Sequence, residues 1–336
     1  MKLAIDAMGG DFAPDAVLDG VQSVLTELGG DTNLILFGDE TALREGLKAR
    51  SITDSRVSVV PTTEVIGCDE PPTLAVRRKK DSSLVRAVKA VADGEADCVL
   101  SAGSTGALLT GGTLIIRRVA GVKRPALATI LPTSTGGAVL LLDCGANTDC
   151  KPEYLLQFAL MGAAYMRNVA GVEEPRVGLL NNGAEEEKGS ELTKAAYQLL
   201  KTAPVCFTGN CEARDALSGE FDVVVADGFD GNVLLKGIEG AVSLMMGMLK
   251  QGFQSSIRTK LGAALAMPAL KTLKKSLDYT EFGGAPLLGV NGGVIKAHGS
   301  SNARAFRSAI HQAVKLVNGD VRDAIRDAVA SLPVEE

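Results

Sequence analysis

The sequence contains no tryptophan, and aromatic residues make up only 4% of its 336 positions. Nucleic-acid platforms that stack bases need exposed rings, so the composition argues against that class of surface. The net charge of −5 also lacks the basic field that draws a phosphate backbone, and no nucleic-acid partner is expected. Histidine is scarce, with His298 and His311 the only two. The six cysteines, at 68, 98, 144, 150, 206 and 211, form no C-x-x-C pair. Neither a zinc site nor a disulfide framework is therefore expected, and the thiols read as reduced and structural, as in a cytosolic protein. Glycines never fall in Gly-x-Gly order and no Gly-Lys-Ser/Thr occurs, which removes the dinucleotide fingerprint and the common phosphate loop. Around Ser104 the spacing is Gly-Ser-Thr-Gly, not the Gly-x-Ser-x-Gly of a nucleophile elbow. Asp6 interrupts the first apolar run too early for a signal peptide. The uncharged stretches Cys98–Ile116 and Pro125–Leu142 are broken by glycines and by Pro132. Neither is predicted to span a membrane, and the protein is expected to be soluble.

What is present is a large aliphatic core, for 46% of the chain is hydrophobic. Strand-length apolar runs occur at Leu3–Ala7, Asn33–Phe37, Val57–Val60, Asp97–Ser101, Gly137–Asp143, Arg176–Asn181 and Phe221–Ala226. Helical periodicity falls between them at Asp15–Leu28, Leu84–Asp93, Glu153–Met166, Ser190–Thr202 and Asn232–Leu249. Such alternation predicts a three-layer α/β/α domain around a largely parallel sheet. Ala126–Leu131 is expected to return antiparallel to Val139–Leu142 across the Pro132–Gly137 turn.

Four polar loops follow strand-like runs and open helices. They are Ala7-Met8-Gly9-Gly10-Asp11, Ser101–Gly106, Asn181–Gly189 and Ala226–Asn232. Loops of this kind gather at the carboxyl ends of parallel strands, where ligands bind. Bare glycine backbone beside a helix N-terminus suits an anion. Asp6, Gly9, Gly10, Asp11, Gly103, Ser104, Thr105, Gly106, Asn182, Asp227, Gly228, Gly231 and His298 are thus candidate binding residues. Each has a plainer reading: Gly103–Gly106 and Asp227–Asn232 serve equally as tight βα turns, and His298 as a structural histidine. Lys188, after three glutamates, is either a solvated cation or a site residue, with Ser190 as a helix cap. Asn232 could donate its amide to a ligand.

The C-terminal third reverses the local charge. No acidic residue lies between Gly240 and Leu277, while Lys250, Arg258, Lys260, Lys271, Lys274 and Lys275 are all cationic. Leucines at 261, 265, 270, 273 and 277 accompany them near helical spacing, with Pro268 expected as a break. This segment reads either as an interfacial surface or as a packing helix pair.

Taken in order, six segments resemble the bacterial acyl-ACP:phosphate acyltransferases of phospholipid synthesis. They are Ile5–Asp11, Ser101–Ala107, Lys188–Leu192, Asp227–Val233, Ala285–Val290 and Ile295–Ser301. Ser104 stands where that family has Asn, and Ala184 where it has Thr. The resemblance implies transfer of a long-chain acyl group from acyl carrier protein to inorganic phosphate, without cofactor or metal. It also implies one catalytic domain over 1–336, of the isocitrate/isopropylmalate dehydrogenase-like fold that phosphate acetyltransferases share. A helical excursion at 238–282 would face a dimer partner or a membrane. Lys188 and Asn232 become catalytic by that resemblance. A homodimer, peripheral association with the inner face of an anionic membrane, and a downstream glycerol-3-phosphate acyltransferase are implied as well. The competing readings are a phosphate acetyltransferase using coenzyme A and a non-catalytic lipid-synthesis scaffold. A metal- and NAD-dependent decarboxylating dehydrogenase ranks last, for want of an aspartate cluster.

Overall fold

The structure, a computed structural model, describes residues 1–277 and 283–332, with side chains for 1–271 and 283–332. Part of the helical excursion expected at 238–282 therefore lies outside the described residues. The chain order begins β1 (Lys2–Asp6), α1 (Asp15–Val24), β2 (Asn33–Gly38), α2 (Glu40–Ala49), β3 (Val57–Pro61), α3 (Pro72–Arg78), α4 (Ser83–Ala92) and β4 (Cys98–Ser101). It continues with α5 (Thr105–Gly111), which runs on as a π-helical turn over Gly112–Ile116, then β5 (Ala126–Pro132), β6 (Ala138–Leu142) and α6 (Pro152–Ala170). The remainder is β7 (Arg176–Asn181), α7 (Glu191–Lys201), β8 (Cys206–Glu212), β9 (Val223–Val225), α8 (Gly228–Gln254), α9 (Ile257–Leu277), β10 (Ala285–Leu288), β11 (Gly293–Lys296), α10 (Ala303–Asn318) and α11 (Val321–Ala330).

The described strands all join one eleven-stranded sheet in the order β3-β2-β1-β4-β11-β10-β5-β6-β9-β7-β8. The first five run parallel, and so do β6, β9, β7 and β8. Between these blocks β10 is antiparallel to both β11 and β5, and β5 is antiparallel to β6, as its turn predicted. Three reversals in succession make the two blocks point in opposite directions. The site loops therefore do not share one sheet edge, contrary to the expectation from a single parallel sheet.

Period-two alternation divides the core. On β1, Leu3 and Ile5 join one apolar cluster with α1, α6 and α10, while Ala4 joins a second cluster with α4 and α5. On β6, Leu140 and Leu142 join that first cluster, while Val139 and Leu141 join a third with Phe221 and Leu235. The first face is thus one continuous core, with Phe158 and Tyr165 of α6 fully buried in it. Burying such side chains contributes about 1.5–3 kcal/mol each. The opposite face carries two separate cores. Where they part, over β11, β10 and β5, the sheet is left open.

Two helices depart from expectation. Pro268 lies inside α9 and does not end it. The first turn of a helix needs no donor from proline, but an interior proline forfeits a backbone bond; here the helix continues regardless. α8 extends to Gln254 and is long and apolar enough to cross a membrane, and little of it is buried. Leu244, Met248, Ile257, Leu261 and Leu265 along this hairpin are all exposed.

Candidate active site

The opening between the two cores is a cleft. A cavity of about 270 Å³ has Leu127, Thr129 and Ala285 on its sheet side, with Thr105, Asn232, Lys296 and His298 at its walls. Alternation explains the sheet side: Ala126 and Ala128 of β5 turn into the continuous core, so Leu127 and Thr129 face the cleft. Lys296 follows the same rule, because Ile295 before it points into that core. A second cavity, about 570 Å³, adjoins through the shared Thr105, Lys296 and Gly299, and is lined by Gly103, Ser104 and Gly106.

Local sequence sets each loop. Ser104 caps α5, its hydroxyl accepting from the Ala107 amide at 3.3 Å. Asp227 caps α8, accepting from the amides of Phe229 (2.9 Å) and Asp230 (2.8 Å). Ser190 caps α7, as expected, through the Thr193 amide. The first loop is tied to the His298 loop by the Asp11 amide, which donates to the Gly299 carbonyl at 2.8 Å. A Cβ on Gly9 would run into the Asp6 carboxylate, so the Gly9 and Gly103 loops can cross only as bare backbone.

Asp6 lies beneath that crossing and does not line the cleft. It is 2% exposed, and its Oδ2 accepts from the Ser101 hydroxyl at 2.6 Å. Burial raises the Asp6 carboxyl above the ordinary range despite that bond. Lys296 stands across the loops. Its ammonium donates to the carbonyls of Ala102, at 3.2 Å, and Ala297. Burial pulls the Lys296 ammonium down to about 8, against Cys68, Asp6 and Asp11 nearby. His298 accepts at Nδ1 from the Ser300 amide at 3.2 Å, which in the neutral ring leaves the proton on Nε2. His311, by contrast, pairs with Glu27 at 2.7 Å on the helical surface.

The structure thus brings Thr105, Asn232 and His298 to one cavity and Gly103, Ser104 and Gly106 to its neighbour. Asp227, Gly228 and Gly231 act beneath Asn232. The Gly228 amide donates to the Asn147 carbonyl at 2.7 Å, and a Cβ on Gly231 would strike the Asp143 carbonyl. Their missing side chains admit protein backbone. Lys188 and Asn182 are exposed on the loop after β7, one strand further from the sheet centre than β9, which precedes Asn232. Neither lines the cleft cavities. Lys296 falls within the Ile295–Ser301 segment of the family resemblance without being a candidate site residue in its own right. Its signal was a cation ending an otherwise apolar strand of four residues.

Two cysteines reach the cleft. Cys144 is buried, which pushes its thiol up to about 12, and Cys68 is exposed in the second cavity. A thiol so raised is a poor nucleophile. Among the described residues no group of three or more His, Cys, Asp or Glu could hold a metal ion.

A two-block α/β sheet opened over its antiparallel centre is the fold of phosphotransacetylases. A phosphotransacetylase from Streptococcus pyogenes superposes with a TM-score of 0.60, covering 98% of this chain and 94% of that one at 16% identity. A branched-chain phosphotransacylase from Enterococcus faecalis gives a TM-score of 0.56, over 94% and 99% of the two chains at 16% identity. At such identity the likeness speaks for fold alone. The sequence goes further: a family model described as fatty acid synthesis protein matches residues 1–324. A phosphate acyltransferase from Exiguobacterium is 50% identical over 331 residues, 98% of this chain and 99% of that protein. Another from Lysinibacillus sphaericus is 48% identical over 335 residues, all of both chains. This chain belongs to that family and is an acyltransferase.

Proposed function

We propose that the enzyme transfers a long-chain fatty acyl group from acyl carrier protein to inorganic phosphate, releasing the carrier thiol and forming an acyl-phosphate for phospholipid synthesis. The single observation that carries this reading is the cleft itself: an ammonium, an amide and an imidazole line one cavity between helix N-termini. That is a cradle for an anion beside a carbonyl.

The chemistry asks for little else. A phosphate oxygen attacks the thioester carbonyl carbon, and the carbon–sulfur electrons collapse onto sulfur as the carrier leaves. Phosphate already carries negative charge, and a thiol of pKa about 8.5 is a good leaving group. Alignment and donors toward the developing oxyanion therefore decide the rate. In this reading Lys296 holds phosphate, Asn232 donates to the carbonyl oxygen, and Thr105 and the amides of 103–106 complete the cradle. Lys188 belongs to the same proposal as a second cation, delivered from the neighbouring loop. The site needs no redox cofactor. The likeness to isocitrate and isopropylmalate dehydrogenases belongs to the same reading of the fold as one catalytic domain.

The α8–α9 hairpin supports peripheral membrane association. Asn232, Leu235, Lys236 and Glu239 of α8 line the cleft, so its first turns belong to the site and cannot sit inside a bilayer. The exposed leucines and methionines beyond them, among cations and no acids, suit an anionic interface and a water-insoluble product. A homodimer on the cytoplasmic face, handing product to a glycerol-3-phosphate acyltransferase, completes the proposal. Turnover of long-chain acyl carrier protein and of acetyl-coenzyme A, each with and without phosphate, tests it. Phosphate-dependent thiol release from the former alone supports the reading; release from the latter alone replaces it with a short-chain phosphotransacetylase.

A further inference from the structure

A second opening lies on the same sheet face, at the far side of the N-terminal block. It is about 1060 Å³, with Ile35, Phe37 and Val60 of β2 and β3 and Val76 and Val85 on its apolar side. Leu114, 52% exposed at the π-helical end of α5, projects at its margin. The rim is charged. Arg86 is taken by Asp81 at 2.6 Å, and among the described residues no ion pair engages Arg77, Lys80 or Lys89, all exposed. Arg77 and Lys80 belong to an unbroken run of four cations, Arg77-Arg78-Lys79-Lys80. Asp93 and Glu95 mark the rim beyond the end of α4. With Arg86 and Asp81 paired, the three rim cations Arg77, Lys80 and Lys89 outnumber the acids Asp93 and Glu95. An apolar floor with a net cationic rim fits a docked protein that is acidic and carries apolar side chains on its contact face.

This groove connects to the cleft through two packed helices. Pro72 begins α3 at the second cleft cavity, and Val76 and Arg77 end it at the groove. Thr105 and Gly106 begin α5 at that same cavity, and Leu114 and Ile115 close its extension at the groove. The seven residues of α3 rise about 10 Å at 1.5 Å each. That is a span for the flexible prosthetic arm of a carrier, with the carrier body in the groove and its thioester in the cleft.

We propose that the groove bounded by α3, α4 and the end of α5 docks the acidic acyl carrier protein, with Arg77, Lys80 and Lys89 meeting its carboxylates. This rests on the proposed acyl-carrier reading and adds the surface. The hairpin cations at 250–260 are then left to the membrane.

The test is the triple variant R77E/K80E/K89E, compared with the parent on two long-chain thioesters: acyl carrier protein, and acyl-pantetheine, which has the arm without the protein. With the carrier substrate, kcat/KM should fall by roughly tenfold or more, as expected for reversing steering charges, and its decline with salt should flatten. With acyl-pantetheine it should stay within about twofold, and the melting temperature should not move. Unchanged kinetics with the carrier would overturn the docking assignment. So would an equal loss on both substrates, or a larger carrier-specific loss in a K250E/K260E variant. Should the triple reversal unfold, R77Q/K89Q serves, with about threefold expected on the carrier alone. A parent that releases thiol from neither substrate would overturn the acyl-transfer reading itself, a result distinct from failure of the docking surface.

Discussion

Replacing Lys296 with Met keeps the aliphatic stem and removes an ammonium from the cleft wall, where the other lining lysine, Lys236, is paired with Glu239. Losing one preorganised donor aimed at developing or bound charge costs about 3 kcal/mol, a hundredfold or more in rate. The fold should survive. The carbonyls of Ala102 and Ala297 lose a donor, at about 1 kcal/mol each, but the cost of sheltering a charge is recovered. Asp6, already raised by burial, can become neutral. Initial rates of carrier-thiol release, measured against phosphate concentration and pH, separate the parts. For Lys296→Met, kcat/KM for phosphate should drop about a hundredfold. In the parent that quantity reports free enzyme and should decline as pH rises through about 8, where Lys296 loses its proton. Lys296→Arg, whose charge persists, should move this decline upward. Rates of Lys296→Met within threefold of the parent, or an unchanged alkaline limb in it, would refute the assignment.

Other outcomes follow from the same geometry. Asn232→Ala should lower kcat about a hundredfold at an unchanged melting temperature, since Asn232 is exposed at the cleft wall. Thermal melting beside the kinetics checks both halves. Cys68→Ser and Cys144→Ser should each keep most of the activity if phosphate attacks directly; abolition by either, in a folded variant, would favour an acyl-cysteine route. Gly231→Ala should destabilise by about 1–3 kcal/mol, as overpacking does, because the new methyl meets the Asp143 carbonyl. Calorimetry should show a melting point several degrees lower.

Much of the sheet was legible because apolar alternation marks strands whatever their direction. β1, β2, β4 and β7 fall within a residue or two of the apolar runs, and the β5–β6 hairpin is announced by Pro132 and Gly136-Gly137. Direction was not legible: nothing in four-residue β10 says that it runs against both β11 and β5 and so begins the reversal of the sheet. β8, Cys-Phe-Thr-Gly-Asn-Cys-Glu at the sheet edge, has too little apolar content to announce itself. α2 is polar on most of its surface, with only Leu43 buried, and α3 is seven residues long. For the candidate site, glycine-rich loops and Asn232 were visible as strand-to-helix punctuation. Lys296 was not, because its meaning depends on where two distant cores separate. The glycines at 228 and 231 looked like room for a ligand and are room for backbone.

Oxygen-18-labelled phosphate supplies the most direct test of the central proposal. Incubated with long-chain acyl carrier protein and the enzyme, it should appear as an acyl-phosphate whose mass shows every phosphate oxygen retained, the bridging one included. Release of free fatty acid without labelled acyl-phosphate would contradict it, for water rather than phosphate would then be the nucleophile in the cleft.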